Sequence, residues 1–330
     1  MNPLVSFIIP FYNAEKFIAE TIDSVLLCGY EQSEIIIVDD GSTDNSLKIC
    51  CSYEKKTPKI KIIQHNDKTN KGASTSRKTG IQEAKGEFIY FLDADDILLP
   101  GVIDKYVAVF SENPDVVLIH GEIIDLRATD DLPKMEHNFV IGFSNRKYLL
   151  SDESYYLKSN RICNSTVCVR KSALIDIDFN YDQIFPLGED WVLWNLLALK
   201  GSFYYFARPM IKYRIHKNSA TSLALQKKQV YLQYNLMENY LCMLAKTRDA
   251  ALRGNIKDKL FDLINDLYKV YQKKPITESD QQGIYEQVVP RDQLIISLKK
   301  KIYNLERGYG YYFYFLYIVK RVFSKLFYFK

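Results

Sequence analysis

Apolar and polar positions follow two different periods along the first 125 residues. Short apolar runs at 5–10, 34–38, 59–64, 87–92 and 116–120 are rich in Ile, Val and Phe, and they predict buried strands. Between them, apolar residues recur at helical spacing. In 14–27, Phe17, Ile18, Ile22, Val25 and Leu26 share one face. Further helices are predicted from near Ser46, over 72–84 and over 100–110, the last with Pro100 at its start. Pro10 is expected to end the first strand, with Tyr12-Asn13 as a turn. This alternation predicts βαβ units, right-handed crossovers and a mostly parallel sheet. It stops near residue 125. Beyond that point 164–170 reads as a strand and 188–199 as a helix with two acids in its first turn. The runs 202–206 and 210–215 read as two short strands, and 224–306 as mainly helical and polar, broken near Pro275 and Pro290.

The polar residues that end the strands carry the chemistry. The run Phe88-Ile89-Tyr90-Phe91-Leu92 stops at Asp93-Ala94-Asp95-Asp96. Carboxylates crowded at the tip of a buried strand repel one another unless a cation joins them. Hard oxygens suit Mg²⁺ or Mn²⁺, which fill their shells with water and substrate phosphates. The other reading makes Asp96 a cap for the next helix, and the run alone fits both. A second strand ends in Asp39-Asp40-Gly41-Ser42-Thr43-Asp44, a turn whose polar residues also suit a helix cap. In a parallel sheet the two clusters reach the same edge, where open α/β sheets bind ligands. Capping alone would not need both on one rim.

Composition narrows the class. The chain has 330 residues, 47% hydrophobic and 25% charged, enough for a sizeable core. A net charge of +4 is too small to imply nucleic-acid binding. Cys28, Cys50, Cys51, Cys163, Cys168 and Cys242 form no CxxC and have no His cluster, so a zinc site is not expected; they read as thiols of a reducing compartment. The start, MNPLVSFIIPFYN, lacks a basic segment and a long apolar core, so no secretory signal is expected, and no apolar run is long enough to span a bilayer. A cytoplasmic protein is the expectation, with the inner face of the membrane as its possible location.

Read in order, VSFIIPFYNAE, IIIVDDGSTD, NKGASTSR, YFLDADD, LGEDW and YRIH form a recognisable set. The chain resembles family 2 glycosyltransferases of the GT-A fold over residues 4–220, about two-thirds of its 330 residues. The resemblance implies a GT-A α/β catalytic domain at 1–220, with a nucleotide-sugar half at 1–125 and an acceptor half at 126–220, followed by a helical region at 221–330. It implies inverting, non-processive transfer of a sugar from a nucleoside-diphosphate donor, commonly a UDP-hexose, to a hydroxyl of a glycan or lipid-linked acceptor. Residue by residue, it places Pro10, Tyr12, Asn13, Asp39 and Asp40 around the base and ribose. Gly72 and Arg77 go near the phosphates; the family more often has Ala-Arg-Asn where this chain has Ser76-Arg77-Lys78. It makes Asp95 a Mn²⁺ or Mg²⁺ ligand, gives Asp93 to the metal or ribose, and makes Asp190 the general base with Glu189 in support. Arg214 or His216 would close on the diphosphate or complete the metal shell. Plainer readings remain: an exposed ion pair for Arg77, dipole-favoured helix acids for Glu189 and Asp190, a loop histidine for His216, and core packing for Trp191. Two other functions compete. A sugar nucleotidyltransferase would carry a glycine-rich phosphate loop after the first strand, which Pro10-Phe11-Tyr12-Asn13 does not supply. A non-catalytic glycan-binding protein would have lost Asp93, Asp95 or Asp190.

The end of the chain, YGYYFYFLYIVKRVFSKLFYFK at 309–330, has no acidic residue. On a helix, Lys320, Arg321 and Lys325 share one face while Val322, Phe323 and Leu326 share the other, a pattern suited to an anionic membrane surface. Packing on the catalytic domain or on another subunit is the alternative. Truncation after Arg307 is therefore expected to release the protein from anionic vesicles in a flotation assay; unchanged flotation would assign the tail to a protein surface.

Overall fold

β1 (Val5–Phe11) is buried along its whole length between two parallel neighbours, β2 (Ser33–Asp39) and β4 (Phe88–Phe91). The computed structural model describes residues 2–127, 139, 141–153, 157–177, 188–217 and 247–272, with isolated positions between 219 and 243. Pro10 lies inside β1 and does not end it. Its position paired with β4 is already past the last β1–β4 pair, Ile8 with Phe91, so its missing N–H removes no ladder bond. β3 (Ile60–Gln64) extends the parallel set beyond β2. The near-continuous apolar runs of β1 and β2 follow from burial on both faces, whereas β3 at the edge is only partly buried. The helices α1 (Ile18–Leu26), α2 (Ser46–Glu54), α3 (Ala73–Glu83) and α4 (Val102–Glu112) make the connections.

The second half of the sheet mixes directions. β8 (Cys168–Arg170) runs antiparallel between β4 and β6 (Val116–Arg127), and β6 pairs in parallel with β9 (Ser202–Ile215). Among the described residues the sheet has nine strands in the order β3-β2-β1-β4-β8-β6-β9-β5, with β5 (Ile97–Leu98) on β9 and β7 (Arg146–Tyr148) also pairing β9. The two strands predicted at 202–206 and 210–215 are one. The register slips between Gly121 opposite Phe206 and Glu122 opposite Pro209, and this irregularity accommodates the proline that hides the continuity in the sequence. The predicted strand at 164–170 is half turn: Asn164–Thr166 forms a single 3-10 turn before β8. α5 (Glu189–Leu197) is shorter than predicted.

An aromatic column beside β4 builds the core beneath the strand ends. Phe88 stacks on Phe110 at 4.4 Å, and Tyr90 and Phe206 both stack on Tyr106, at 6.0 and 5.4 Å. Each such side chain contributes roughly 1.5–3 kcal/mol by burial. The two tyrosines are fully buried, so their hydroxyls need partners. Tyr90 Oη donates to the Ser165 carbonyl at 2.9 Å and Tyr106 Oη to the Thr166 carbonyl at 2.8 Å. The core thereby fixes the turn before β8.

The chain divides into two compact units, Met1–Asn239 and Tyr240–Lys330. In the second, α6 (Ala250–Gln272) opens on Asp249, whose Oδ1 accepts the Leu252 N–H at 2.7 Å as an N-cap does. Leu252, Ile256, Leu260 and Leu263 form its buried stripe. The predicted tail at 309–330 lies outside the described residues, as does the predicted break near Pro275 and Pro290. Cys28, Cys50, Cys163 and Cys168 are buried free thiols.

Gly41 has φ +79°, and a Cβ there would stand 2.8 Å from the Asn70 backbone nitrogen and 2.9 Å from the Lys68 carbonyl oxygen. Gly41→Ala is expected to lower unfolding free energy by about 2 kcal/mol through that strain and clash, read as a lower urea midpoint. An unchanged midpoint would show that the 68–70 backbone yields freely.

Candidate active site

The acids at the strand ends are divided between support and exposure. Asp40 is buried and fully engaged. Its Oδ1 accepts the Lys71 N–H at 2.7 Å, its Oδ2 accepts the Gly72 N–H at 2.9 Å, and His65 Nε2 lies 3.3 Å away. It thus holds the entry to α3. Asp39, also buried, accepts from the Ser42 N–H and from Gln64 Nε2, both at 2.9 Å. Asn13, at φ 50°, ties the β1 loop to the β2 loop: its Oδ1 accepts the Thr43 N–H at 2.8 Å and its own N–H donates to Ser42 Oγ at 3.1 Å. Tyr12 beside it is half exposed, and Pro10 is buried in β1. Asp44 accepts from the Ser46 N–H at 2.9 Å and the Glu15 N–H at 3.1 Å. Burial opposes its charge, but the Ser46 hydroxyl, which also donates to it, and then these two N–H bonds win and hold its carboxyl below the usual range.

At the tip of β4 the carboxylates meet their cation. Arg77 on α3 places Nη2 2.7 Å from Asp93 Oδ1 and Nη1 3.0 Å from Glu189 Oε1. Burial works against the guanidinium charge, but Asp93 and Glu189 outweigh it and push Arg77 above the ordinary arginine range. Asn164 Nδ2 donates to the same Asp93 oxygen at 3.0 Å, and the Asp93 N–H donates to Ser165 Oγ at 3.1 Å. The tyrosine-anchored turn therefore aims Asp93. Asn164 and Ser165 were not legible as site residues, because nothing local marks them.

Asp95 and Asp96 are held from the far end of the sheet. Arg214 at the end of β9 donates its backbone N–H to Asp96 Oδ1 at 2.8 Å and its Nε–H to the Asp95 carbonyl at 2.8 Å, and it pairs with Glu20 of α1. Its guanidinium lies 4.9 Å over the Phe17 ring. Two residues on, His216 Nε2 lies 2.9 Å from Asp95 Oδ2, with its ring 4.6 Å from Phe17. α1 adds Thr21 Oγ1, which donates to the Ala94 carbonyl at 2.9 Å. Asp96 is fully buried and pins β9; it caps no helix, since α4 begins at Val102. Burial, then the charges of Asp95 and Asp93, push its carboxyl well above the usual range.

Among the described residues no three Asp, Glu, His or Cys side chains converge as a full metal cage. Asp95 and His216 form a carboxylate–imidazole pair suited to a divalent ion that takes its other ligands from water and phosphate. The imidazole favours Mn²⁺ over Mg²⁺.

Gly188, with φ 89°, opens α5, and a Cβ there would collide with the Asn239 side-chain amide. α5 then presents Glu189 to Arg77 and leaves Asp190 half-buried, its Oδ1 accepting the Trp191 N–H at 2.7 Å and its Oδ2 accepting Asn160 Nδ2 at 2.9 Å. Burial and then the neighbouring Glu189 push Asp190 up to about 7, against the pull of Arg77, Trp191 N–H and Asn160. A carboxylate poised there is matched to proton abstraction near neutrality. Trp191 and Trp194 are buried, and they serve as core rather than as an open sugar platform.

The family model for glycosyl transferase family 2 matches residues 6–177, more than half of the 330-residue chain. The chain belongs to glycosyl transferase family 2. A stretch covering 67% of it is 31% identical to the minor teichoic acid biosynthesis protein GgaB of Bacillus subtilis, of which it spans 24%. Two solved structures share its fold, which is GT-A. The S. aureus TarS 1–349 complex with UDP-GlcNAc matches 84% of this chain and 77% of its own with a TM-score of 0.61 at 19% identity. The mannosyltransferase PcManGT from Pyrobaculum calidifontis, in complex with GDP-Man and Mn²⁺, matches 99% of this chain and 88% of its own with a TM-score of 0.56 at 13% identity.

Because the Arg214 side chain donates to the Asp95 carbonyl, pairs with Glu20 and covers Phe17, Arg214→Leu is expected to cost about 2–3 kcal/mol of stability by urea unfolding. Glu20, more than half exposed, is the outer end of that chain of contacts, so Glu20→Gln should cost under about 1 kcal/mol. Equal losses in both variants would contradict this hierarchy.

Proposed function

We propose that this glycosyltransferase catalyses inverting, non-processive transfer of a hexose from a UDP-linked donor to a hydroxyl of a glycan or lipid-linked acceptor in surface polysaccharide synthesis. The observation that carries the reading is Asp190, a half-buried carboxylate poised near neutrality and linked by Glu189 and Arg77 to Asp93 at the tip of β4. Support also comes from the UDP-GlcNAc and GDP-Man complexes on the same fold and from the relative in teichoic acid biosynthesis.

In this mechanism Asp39, Asn13, Tyr12 and Pro10 border the base and ribose. Gly72 at the entry to α3 and Arg77 on it approach the phosphates, and Asp93 would contact the ribose or support the metal. Asp95 and His216 would hold Mn²⁺ or Mg²⁺, which when bound neutralises the charge that develops on the departing diphosphate. Arg214 acts on the donor site through the Asp95-Asp96 turn that it braces. Asp190 takes the proton from the acceptor hydroxyl as the oxygen attacks the anomeric carbon. The bond to the nucleoside diphosphate breaks on the opposite face, and the configuration inverts. Glu189 keeps Arg77 turned toward the site. Among the described residues no helix is long and apolar enough to cross a membrane. The basic, aromatic tail at 309–330 is proposed to hold the enzyme at the inner membrane surface, close to a lipid-linked acceptor.

A general base acts deprotonated, so a group titrating at about 7 predicts transfer that rises through neutral pH and is lost below it. Asp190→Asn should abolish transfer while leaving UDP binding intact. Asp95→Ala should abolish transfer and also remove the Mn²⁺-dependent part of UDP affinity, read by calorimetry with and without the ion. Full transfer by Asp190→Asn, or unchanged Mn²⁺-dependent affinity in Asp95→Ala, would contradict the respective assignment.

A further inference from the structure

The base proposed above is gripped from outside its own helix. Asn160 Nδ2 donates to Asp190 Oδ2 at 2.9 Å while the Trp191 N–H donates to Oδ1 at 2.7 Å, so each carboxylate oxygen carries one donor. Asn160 is itself fixed. Its Oδ1 accepts the Ile162 N–H at 3.1 Å, and this bond decides which end of the amide faces Asp190. It borders a narrow cavity lined by Leu157, Trp191 and Trp194 together with Ser159, Arg161 and Asn195. The charged and titratable groups acting on Asp190 include Glu189 on its own helix, Arg77 from α3 and the buried Cys163 thiol ahead of β8, and Arg161 lines the cavity beside Asn160 and Trp191. Glu189 and Arg77 offset each other. Asn160 supplies the neutral side-chain donor to the carboxylate, beside the backbone N–H of Trp191.

We propose that Asn160 is a positioning residue for transfer: its amide locks the Asp190 carboxylate into the single orientation from which the acceptor proton is taken. The inference rests on Asp190 being the base. An N–H on a carboxylate oxygen also favours the anion, so the same contact sets the pH at which the base becomes competent. Nothing in the sequence marks Asn160, which stands in a polar stretch thirty positions before its partner.

The test has two arms on the full-length protein. In the first, the Asp190 carboxyl carbon is followed by ¹³C NMR from pH 5 to 9, with Asp190→Asn identifying the signal. Asn160→Ala should raise the midpoint by about one pH unit, the size a charged hydrogen bond supports, and Asn160→Asp should raise it further by adding like charge. In the second, the acid limb of the pH–rate profile for transfer should move with the midpoint, about tenfold in proton concentration. A midpoint unmoved in both variants overturns the inference, as does a midpoint that moves while the rate limb stays. Asn160→Asp keeps the size of the side chain and serves should Asn160→Ala fold poorly. Undiminished transfer by Asp190→Asn is a different failure: it removes the base assignment while leaving the measured Asn160–Asp190 contact standing.

Discussion

One guanidinium makes this rim of acids tenable. Arg77 lies between Asp93 and Glu189, which come from chain segments almost a hundred residues apart, with one nitrogen on each. Without a cation, carboxylates at the end of β4 and at the start of α5 would repel across a poorly solvated gap. Partner loss at such a buried pair costs about 3–5 kcal/mol, since the remaining charges stay desolvated. A lysine would supply the charge but not the fork, so it would satisfy one acid at a time. The pair is better understood as a device for geometry than as a source of net stability. It sets the tip of β4 and the helix bearing Asp190 in one arrangement.

The same logic runs through the rest of the site. Tyr90 and Tyr106 are buried for their rings, and their hydroxyls must then find carbonyls; the ones they find belong to the turn that aims Asp93. β9 reaches the rim at its end, where Arg214 and His216 hold the Asp95-Asp96 turn from two sides, and α1 braces both through Phe17 and Glu20. Core packing and site geometry are thus one set of contacts. A core defect near Tyr106 should be felt at Asp93 before it is felt at the sheet edge.

Much of the frame could be read from the residues. The parallel strands and their helices follow from unbroken Ile and Val runs alternating with amphipathic segments. Asp93 and Asp95 stand out because they end an apolar run, whereas Asp190 is singled out by the family resemblance of its Gly188-Glu189-Asp190-Trp191 stretch. What escaped was what depends on contacts distant in sequence. Pro10 reads as a terminator because the end of the β1–β4 pairing at Ile8 and Phe91, which lets a residue without an N–H sit inside β1, is not visible in the sequence. Pro209 splits β9 on paper because the bulge that absorbs it exists only against Gly121 and Glu122. Asn160, Asn164 and Ser165 are ordinary polar residues until folding puts acids beside them. Asp39 and Asp40 both read as ligand-facing, yet both are buried and engaged: Ser42 N–H and Gln64 occupy Asp39, and two backbone N–H groups of the α3 entry loop occupy Asp40. Arg214 was read from its charge, as a phosphate ligand, while its geometry spends that charge on the Asp95 carbonyl and Glu20.

The central claim, that Arg77 joins the tip of β4 to the helix bearing Asp190, is tested most directly by a double-mutant cycle on unfolding free energy with Arg77→Met, Glu189→Gln and the pair. A working bridge predicts a coupling of about 1–3 kcal/mol, with Glu189→Gln less costly once Arg77 is gone. Losses that add to within about 0.5 kcal/mol would mean the two side chains do not act together, and the account built on their contact would be wrong.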